Sequence, residues 1–452
     1  MNFLTLKEDF YKRYETSGKF LHYTSYGALC TLLGHTDIPT APSLCCTLSM
    51  RVEMFARKSG GNYVKIENTT TDKCLQYPFG TSTDLFKGKT KFFAELIHAL
   101  ENSGLKGAEI LYNNTIPNFI SSKHAFSAAL IKSLMQVSDI ELTPLETAAI
   151  CALSDDLTPY LAVLFSKKGY CTLMNSGEPK NLPLPLSGYK ILTAHCTEPL
   201  SNHSKHIKYA MSEIRRLYPH INSISDLTPE ILSTAKSSFK NSKAAKYMYH
   251  LSTENTRINT VSAALKRCDI KTLFREINNS EQSMERFWDI GTEHKFLANT
   301  ARNTDGIAAA RCQDKGIWAI VEEDKVDYAI NVIKSDFENI RCAKAIHDGI
   351  NNNFVDNHLN TDFMKSIIDE FGFDRVSYVL ACNIKGAMQD ARYSQENKNW
   401  SELIAIPDSN LRNEYLINNH PVLINALIDK TRIAFDELHI CLLYTSPSPR
   451  DS

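Results

Sequence analysis

Neither sign of charge prevails in this sequence: 50 Lys and Arg stand against 51 Asp and Glu, a formal net charge of −1. That balance removes any general electrostatic reason to bind nucleic acid or an anionic membrane. No apolar run approaches the roughly 18 residues that a spanning helix requires. The 12 cysteines include no Cys-x-x-Cys pair. Cys45 and Cys46, adjacent in a strand, point to opposite faces, which argues against a two-ligand metal clip. Reduced and mostly buried thiols in a cytoplasmic protein are expected. Residues 1–14 mix Lys7, Glu8, Asp9, Lys12 and Arg13 with apolar positions, a composition unlike a secretory leader.

What the chain does contain is material for sizeable cores. Its 452 residues, 43% hydrophobic and 22% charged, predict two or three globular domains. Helical periodicity predicts a helix over residues 3–14 and another over 90–102, where Phe92, Phe93, Leu96, Ile97 and Leu100 share a face. Residues 23–33, 44–57, 63–68 and 109–112 read as strands. Residues 121–135 read as a helix in which Ala125, Ala128 and Ala129 permit close packing. Thr143 is a predicted N-cap, with Pro144 at the first helical position and Glu146 closing a capping box. Further on, a strand is expected over 189–195. Helices are expected over 200–218, 244–266, 270–279 and 281–288.

One stretch organises the rest. Leu32-Leu33-Gly34-His35-Thr36-Asp37 carries an apolar strand end into a tight glycine turn and a small polar cluster, followed by Ile38-Pro39-Thr40-Ala41-Pro42. A His and an Asp projecting from one turn suit the hydroxyls of a small polyol. An ordinary strand exit with solvated polar residues has the same pattern. With apolar residues before it and a second strand after it, Gly34-His35-Thr36-Asp37 resembles the sugar-binding signature of galactokinases, members of the GHMP kinase superfamily. The resemblance covers roughly residues 2–337, carried by order and pattern more than by intact motifs. It implies an α+β fold: a GHMP-type N-terminal domain over 1–195 and a C-terminal-like domain over 196–345, with a cleft between them. It further implies that Gly34, His35 and Asp37 contact a monosaccharide such as galactose. The Glu that precedes the His in the family is missing here.

The phosphate side departs further. A strand, a loop and a helix start form the layout of a phosphate cradle, because free N–H groups at a helix N-terminus attract anions. The family's loop is rich in Gly and Ser. Here it reads Pro117-Asn118-Phe119-Ile120-Ser121-Ser122-Lys123-His124, without glycine, so Ser121, Ser122 and Lys123 remain as the nucleotide-side candidates. The family's catalytic base is the Asp of an Asp-Gln pair. Counting back from Phe165-Ser166-Lys167-Lys168-Gly169-Tyr170, which resembles the turn after that base, the pair falls on Pro159-Tyr160. Asp155 and Asp156, just upstream, are the fallback carboxylates. The family's assisting Arg corresponds to Ala28. The third, Gly-rich signature corresponds to residues 304–321, where most of the glycines are missing, and Glu322 to Ile330 is the best-matched piece. The run holding His250, Glu254 and Arg257 resembles a C-domain helix ending in a Glu- and Arg-bearing turn.

The expectation is therefore a galactokinase-like pseudokinase that binds a sugar or a partner. The alternative is an active ATP-dependent sugar-1-kinase with a relocated base, which would need ATP and Mg²⁺; otherwise the cofactor is unknown. A second alternative is an interaction module acting through the C-terminal region. Residues 346–361 read as an Asn-rich linker. Residues 362–440 resemble a small uncharacterised all-α domain of gut-bacterial proteins, whose cluster Asp390, Arg392, Glu396 and Asn397 is either a protein-binding face or a structural knot. Residues 441–452 resemble a translated sequencing adapter, so the native reading frame is expected to be cut near Ile440, with its true C-terminus unknown.

Overall fold

The computed structural model describes residues 3–356, apart from 15–20, 39, 72–73, 119, 154, 176–178, 202, 236–238, 240–241, 337–341 and 346–350. The helical domain at 362–440, the tail at 441–452 and Phe119 lie outside the described residues.

Helix α1 (Phe3–Tyr14) leads into β1 (Leu21–Gly34) and β2 (Ser43–Lys58), then β3 (Tyr63–Asn68), β4 (Cys74–Pro78), α2 (Lys89–Glu101) and β5 (Ala108–Asn114). Helices α3 (Lys123–Ser138), α4 (Pro144–Ala152) and α5 (Thr158–Leu164) follow, then β6 (Tyr170–Met174), β7 (Lys180–Pro183) and β8 (Tyr189–His195). The second half holds α6 (Ser204–Leu217), α7 (Pro229–Ala235), α8 (Ser242–Leu265), α9 (Ile270–Phe287) and α10 (Thr292–Asn303). Strands β9 (Ile307–Gln313) and β10 (Gly316–Glu322), helix α11 (Val326–Asp336), and strands β11 (Cys342–Ala345) and β12 (Asn351–Asp356) complete the described chain.

The first sheet has eight strands, with β12-β1-β2-β5-β3-β4 in order and β6 and β7 continuing from β2. β1 and β2 are antiparallel from His22 opposite Ala56 to Gly34 opposite Ser43, so their turn stands at one end of a long ribbon. Alternation divides the sheet's two faces. Val52, Met54 and Ala56 join the main core under α2–α5, while Phe55 meets Phe10 and Tyr14 of α1 on the other face. The small residues of α3 permit the approach they predicted: Thr24 Oγ1 lies 3.2 Å from the Ala129 carbonyl and 2.6 Å from Ser133 Oγ. Thr143 and Glu146 form the reciprocal capping box of α4.

The second sheet is four-stranded and antiparallel in the order β11-β8-β10-β9. Its core gathers Met211, Ile214, Leu297, Ile317 and Ala319. Ile258, Leu265, Phe274 and Ile277 of α8 and α9 pack instead into the first core, so these two helices bridge the halves.

Three expectations change. The two helices predicted over 270–279 and 281–288 are one, α9, capped at Asp269 and uninterrupted through buried Ser280 and Glu281. Neither Gly nor Pro breaks that segment; its polar pair is buried rather than looped out. Strand β4 was not anticipated. Residues 351–356, predicted as linker, pair antiparallel with β1 from Leu21 opposite Asp356 to Tyr26 opposite Asn351. The outer edge of β1 offers unpaired backbone groups, and Phe354-Val355 suits an extended strand. Among the described residues no helix is long and apolar enough to cross a membrane.

Candidate functional site

β1 ends at Gly34, where the chain leaves the strand at φ +76°, and residues 35–42 carry it to β2. A Cβ there would stand 2.2 Å from the Pro42 carbonyl oxygen, so no other residue fits. Both backbone polar groups of Gly34 are taken by charged side chains. Its N–H donates to Glu254 Oε2 at 2.7 Å, and its carbonyl accepts from Arg311 Nη2 at 2.6 Å. Arg311 also donates to the Thr31 carbonyl and to Ser280 Oγ. Arg257 Nη1 completes the cluster, 2.6 Å from Glu254 Oε1. Burial alone would raise the pKa of Glu254, but Arg311 and Arg257 outweigh it and hold the carboxylate below its usual range.

This anchoring aims the next three residues into a cavity of about 430 Å³. Its walls are the turn (Gly34 to Asp37), the approach to α3 (Ser121 and His124) and the β9–β10 hairpin. The volume falls within the roughly 300–1,000 Å³ usual for small-molecule sites. His35 is 7% exposed and stacks on Trp288 with ring centroids 4.0 Å apart. Its Nε2 lies 2.9 Å from His250 Nε2. Burial, then Arg311 and His250, push its pKa well below the usual histidine value, so the ring is neutral. The Asp37 side chain is 61% exposed at the mouth, 3.9 Å from His35 Nδ1. Partial desolvation at the mouth of the cavity raises its pKa.

The hairpin opposite carries residues that sequence reading missed. Gln313 uses its amide like a strand edge, accepting from Thr31 N–H at 2.8 Å and donating to the Leu29 carbonyl at 3.0 Å. Asp314 stands on the cavity wall at φ +50°, its pKa raised by desolvation and further by Asp37. Arg311, inside an alanine-rich strand where the resemblance led one to expect glycine, was the available signal. His250, Glu254 and Trp288 were read only as parts of helices.

The remaining predicted residues separate. Ser121 lines the cavity; Ser122 and Lys123 do not. Lys123 forms an ion pair with Asp155, which also accepts from Tyr160 Oη at 3.0 Å. Asp156 Oδ1 accepts from Thr158 N–H at 2.8 Å, at the start of α5. Neither carboxylate is on the cavity wall. Pro159 is buried in α5, and Ala28 is buried in β1. Among the described residues no group of three or more His, Cys, Asp or Glu is placed to hold a metal ion.

Comparison with known proteins shows what the chain is similar to. A family model described as "Protein of unknown function (DUF3849)" matches residues 325–436, about a quarter of the chain. The galactokinase of Halalkalibacterium halodurans is 21% identical over 258 residues, 52% of this chain and 65% of that protein. The Streptococcus suis galactokinase is 23% identical over 308 residues, 63% of this chain and 77% of its own. The chain thus spans slightly less than two thirds of the first of these relatives. Among solved structures, Lactococcus lactis galactokinase complexed with galactose superposes with a TM-score of 0.66 at 18% identity, covering 76% of this chain and 98% of that one. A mevalonate kinase superposes with a TM-score of 0.53 at 10% identity, covering 72% and 99%. At these identities the structural likeness establishes the fold.

Proposed function

We propose that this chain, galactokinase-like in sequence and GHMP-kinase-like in fold, binds a monosaccharide such as galactose without phosphorylating it. The observation that carries the reading is an asymmetry. The turn bearing His35 and Asp37 faces a cavity of about 430 Å³, whereas the residue in the register of the family's base is Pro159, buried in α5. An ionised Asp37 accepts hydrogen bonds from sugar hydroxyls, and charge-assisted bonds of this kind are the strong ones.

Phosphoryl transfer rests on positioning and on electrostatic stabilisation of the transferring group. A triphosphate would meet Ile120 rather than glycine at the cavity wall. Lys123 is already paired with Asp155. With Ile120 on the wall and Lys123 engaged, these residues do not fit a phosphate cradle. In this reading the protein is a cytoplasmic pseudokinase, consistent with free thiols at all ten described cysteines.

Calorimetry with galactose and related monosaccharides, paired with an assay of ATP-dependent sugar phosphorylation, tests the reading. Binding without turnover is expected. Robust turnover would support the second reading, an active sugar-1-kinase with a relocated base. Asp314, on the cavity wall with a raised pKa, favours that second reading. Asp314→Ala is the control for that base, and Asp155→Ala/Asp156→Ala the control for the fallback carboxylates. A partner docking on the helical domain concerns residues outside those described.

A further inference from the structure

Four side chains run in line from the cleft to the far side of α8 and α9. His35 Nδ1 lies 3.9 Å from Asp37 Oδ1, an ion-pair rather than a hydrogen-bond distance. His35 Nε2 lies 2.9 Å from His250 Nε2, and His250 Nδ1 lies 2.9 Å from Ser283 Oγ. His35 lines the cleft cavity; Ser283 lines a separate groove of about 500 Å³ with Tyr249, Arg257 and Arg286. Both imidazoles are buried, at 7% and 0% exposure.

Burial first, and Arg311 second, push both histidines well below their usual pKa. Each ring is therefore neutral, with one N–H and one bare nitrogen. Two Nε2 atoms in hydrogen-bond contact share a single proton, so its owner fixes both tautomers at once. If His35 holds it, the bare Nδ1 lone pair of His35 faces the Asp37 carboxylate, an unfavourable pairing. If His250 holds it, His35 carries its proton on Nδ1, directed at that carboxylate. The bare Nδ1 of His250 then accepts a hydrogen bond from the Ser283 hydroxyl. In this second arrangement every donor points along the line toward the negative charge.

We propose that the Asp37 carboxylate, acting through the shared His35–His250 proton, holds His35 as the Nδ1–H tautomer, with His250 as the positioning residue that donates Nε2–H to His35. The cleft then presents a fixed donor, His35 Nδ1–H, beside a fixed acceptor, the Asp37 carboxylate. A hydroxyl satisfies both, because it accepts and donates; a group that only donates, such as an ammonium, leaves His35 unpaired. This pairing selects a sugar hydroxyl over an amino substituent at the same position. The selectivity rests on the sugar-binding reading above, whereas the tautomer is a property of the protein alone.

The test is ¹⁵N NMR of the full-length chain labelled at histidine, without ligand, with assignments from His35→Gln and His250→Gln. The expected spectrum has His35 protonated at Nδ1 and bare at Nε2, and His250 protonated at Nε2 and bare at Nδ1. The reverse pair, or a doubly protonated ring at neutral pH, would overturn the proposal. Asp37→Ala should populate both tautomers in both rings together, whereas Ser283→Ala should leave them unchanged, because a hydroxyl accepts from or donates to His250 Nδ1 alike. Tautomers unmoved by Asp37→Ala would reject the role of the carboxylate. Correct tautomers with no galactose binding would sink the sugar reading and leave this inference standing.

Discussion

The backbone N–H of Gly34 donates to Glu254 Oε2 at 2.7 Å, joining the β1–β2 turn to α8 across 220 residues of sequence. Glu254 is 1% exposed, and the charge that makes this bond strong is balanced by Arg257 and by Arg311, whose guanidinium is 3.9 Å away. The turn that faces the cavity is thus positioned by groups from the other half of the molecule.

Removing Glu254 should therefore cost more than one hydrogen bond. Glu254→Ala leaves Arg311 buried without its carboxylate, a loss of about 3–5 kcal/mol for a broken buried pair. Denaturant unfolding reads this directly. The pH dependence follows from the sign of the shift. The folded pKa lies below the unfolded one, so the stabilisation is present above the unfolded value, about 4.3. It is lost as pH falls from there through the depressed folded value. Glu254→Gln should flatten that acid limb; an unchanged limb would assign it to other carboxylates.

Asp37 carries the sugar contact in the proposed reading. Charge-assisted hydrogen bonds are worth about 1.5–3 kcal/mol each, so Asp37→Ala should weaken galactose binding about 10- to 100-fold. Because the side chain is 61% exposed, the variant should fold normally. Calorimetry showing equal affinity in both proteins would remove this residue from the site.

How much of this was legible in the sequence depends on the range of the interaction. The capping box at Thr143 and Glu146 and the turn at Gly34 are local, and their residues stand together in the chain. The small face of α3 was equally visible, because periodicity reports which side of a helix is buried. The partners of Gly34 and His35 come from α8, α9 and β9, at sequence separations no local pattern encodes. Arg311 offered a hint, a long cation in an alanine-rich strand, without saying which carbonyls it would reach. Ser280 and Glu281 misled in the opposite direction. Buried polar residues interrupt the apolar periodicity of a helix without interrupting the helix. The Asn-rich run at 351–353 looked like a linker because strand pairing depends on an open edge elsewhere, here that of β1.

That edge gives the third prediction. Residues 351–356 close the exposed side of β1 along Leu21 to Tyr26. Their amides should exchange with solvent together with those of β1, slower than a linker's. A chain ending at residue 345 should lose protection at Leu21–Tyr26 and aggregate more readily, since an uncovered edge invites pairing with another copy. Fast exchange throughout 351–356 in the full chain would return this segment to the status of a linker.

Lys123 and Asp155 separate the two functional readings most cleanly. Lys123 stands at the start of α3, where a cation and free N–H groups would favour a phosphate. Asp155 neutralises that cation through a pair whose side chains are 41% and 45% exposed. An ion pair this exposed is worth about 0–1 kcal/mol, so Asp155→Ala should raise ATP affinity by no more than about fivefold. Lys123→Ala in the same background should erase the gain. If Asp155 were a relocated catalytic base, its removal would instead cost about 10²–10⁴-fold in turnover. Measuring ATP affinity and sugar phosphorylation on the same pair of variants distinguishes the outcomes. Tighter ATP with turnover still absent fits a protein whose cradle is blocked; turnover present in the parent and abolished by Asp155→Ala would make it a kinase.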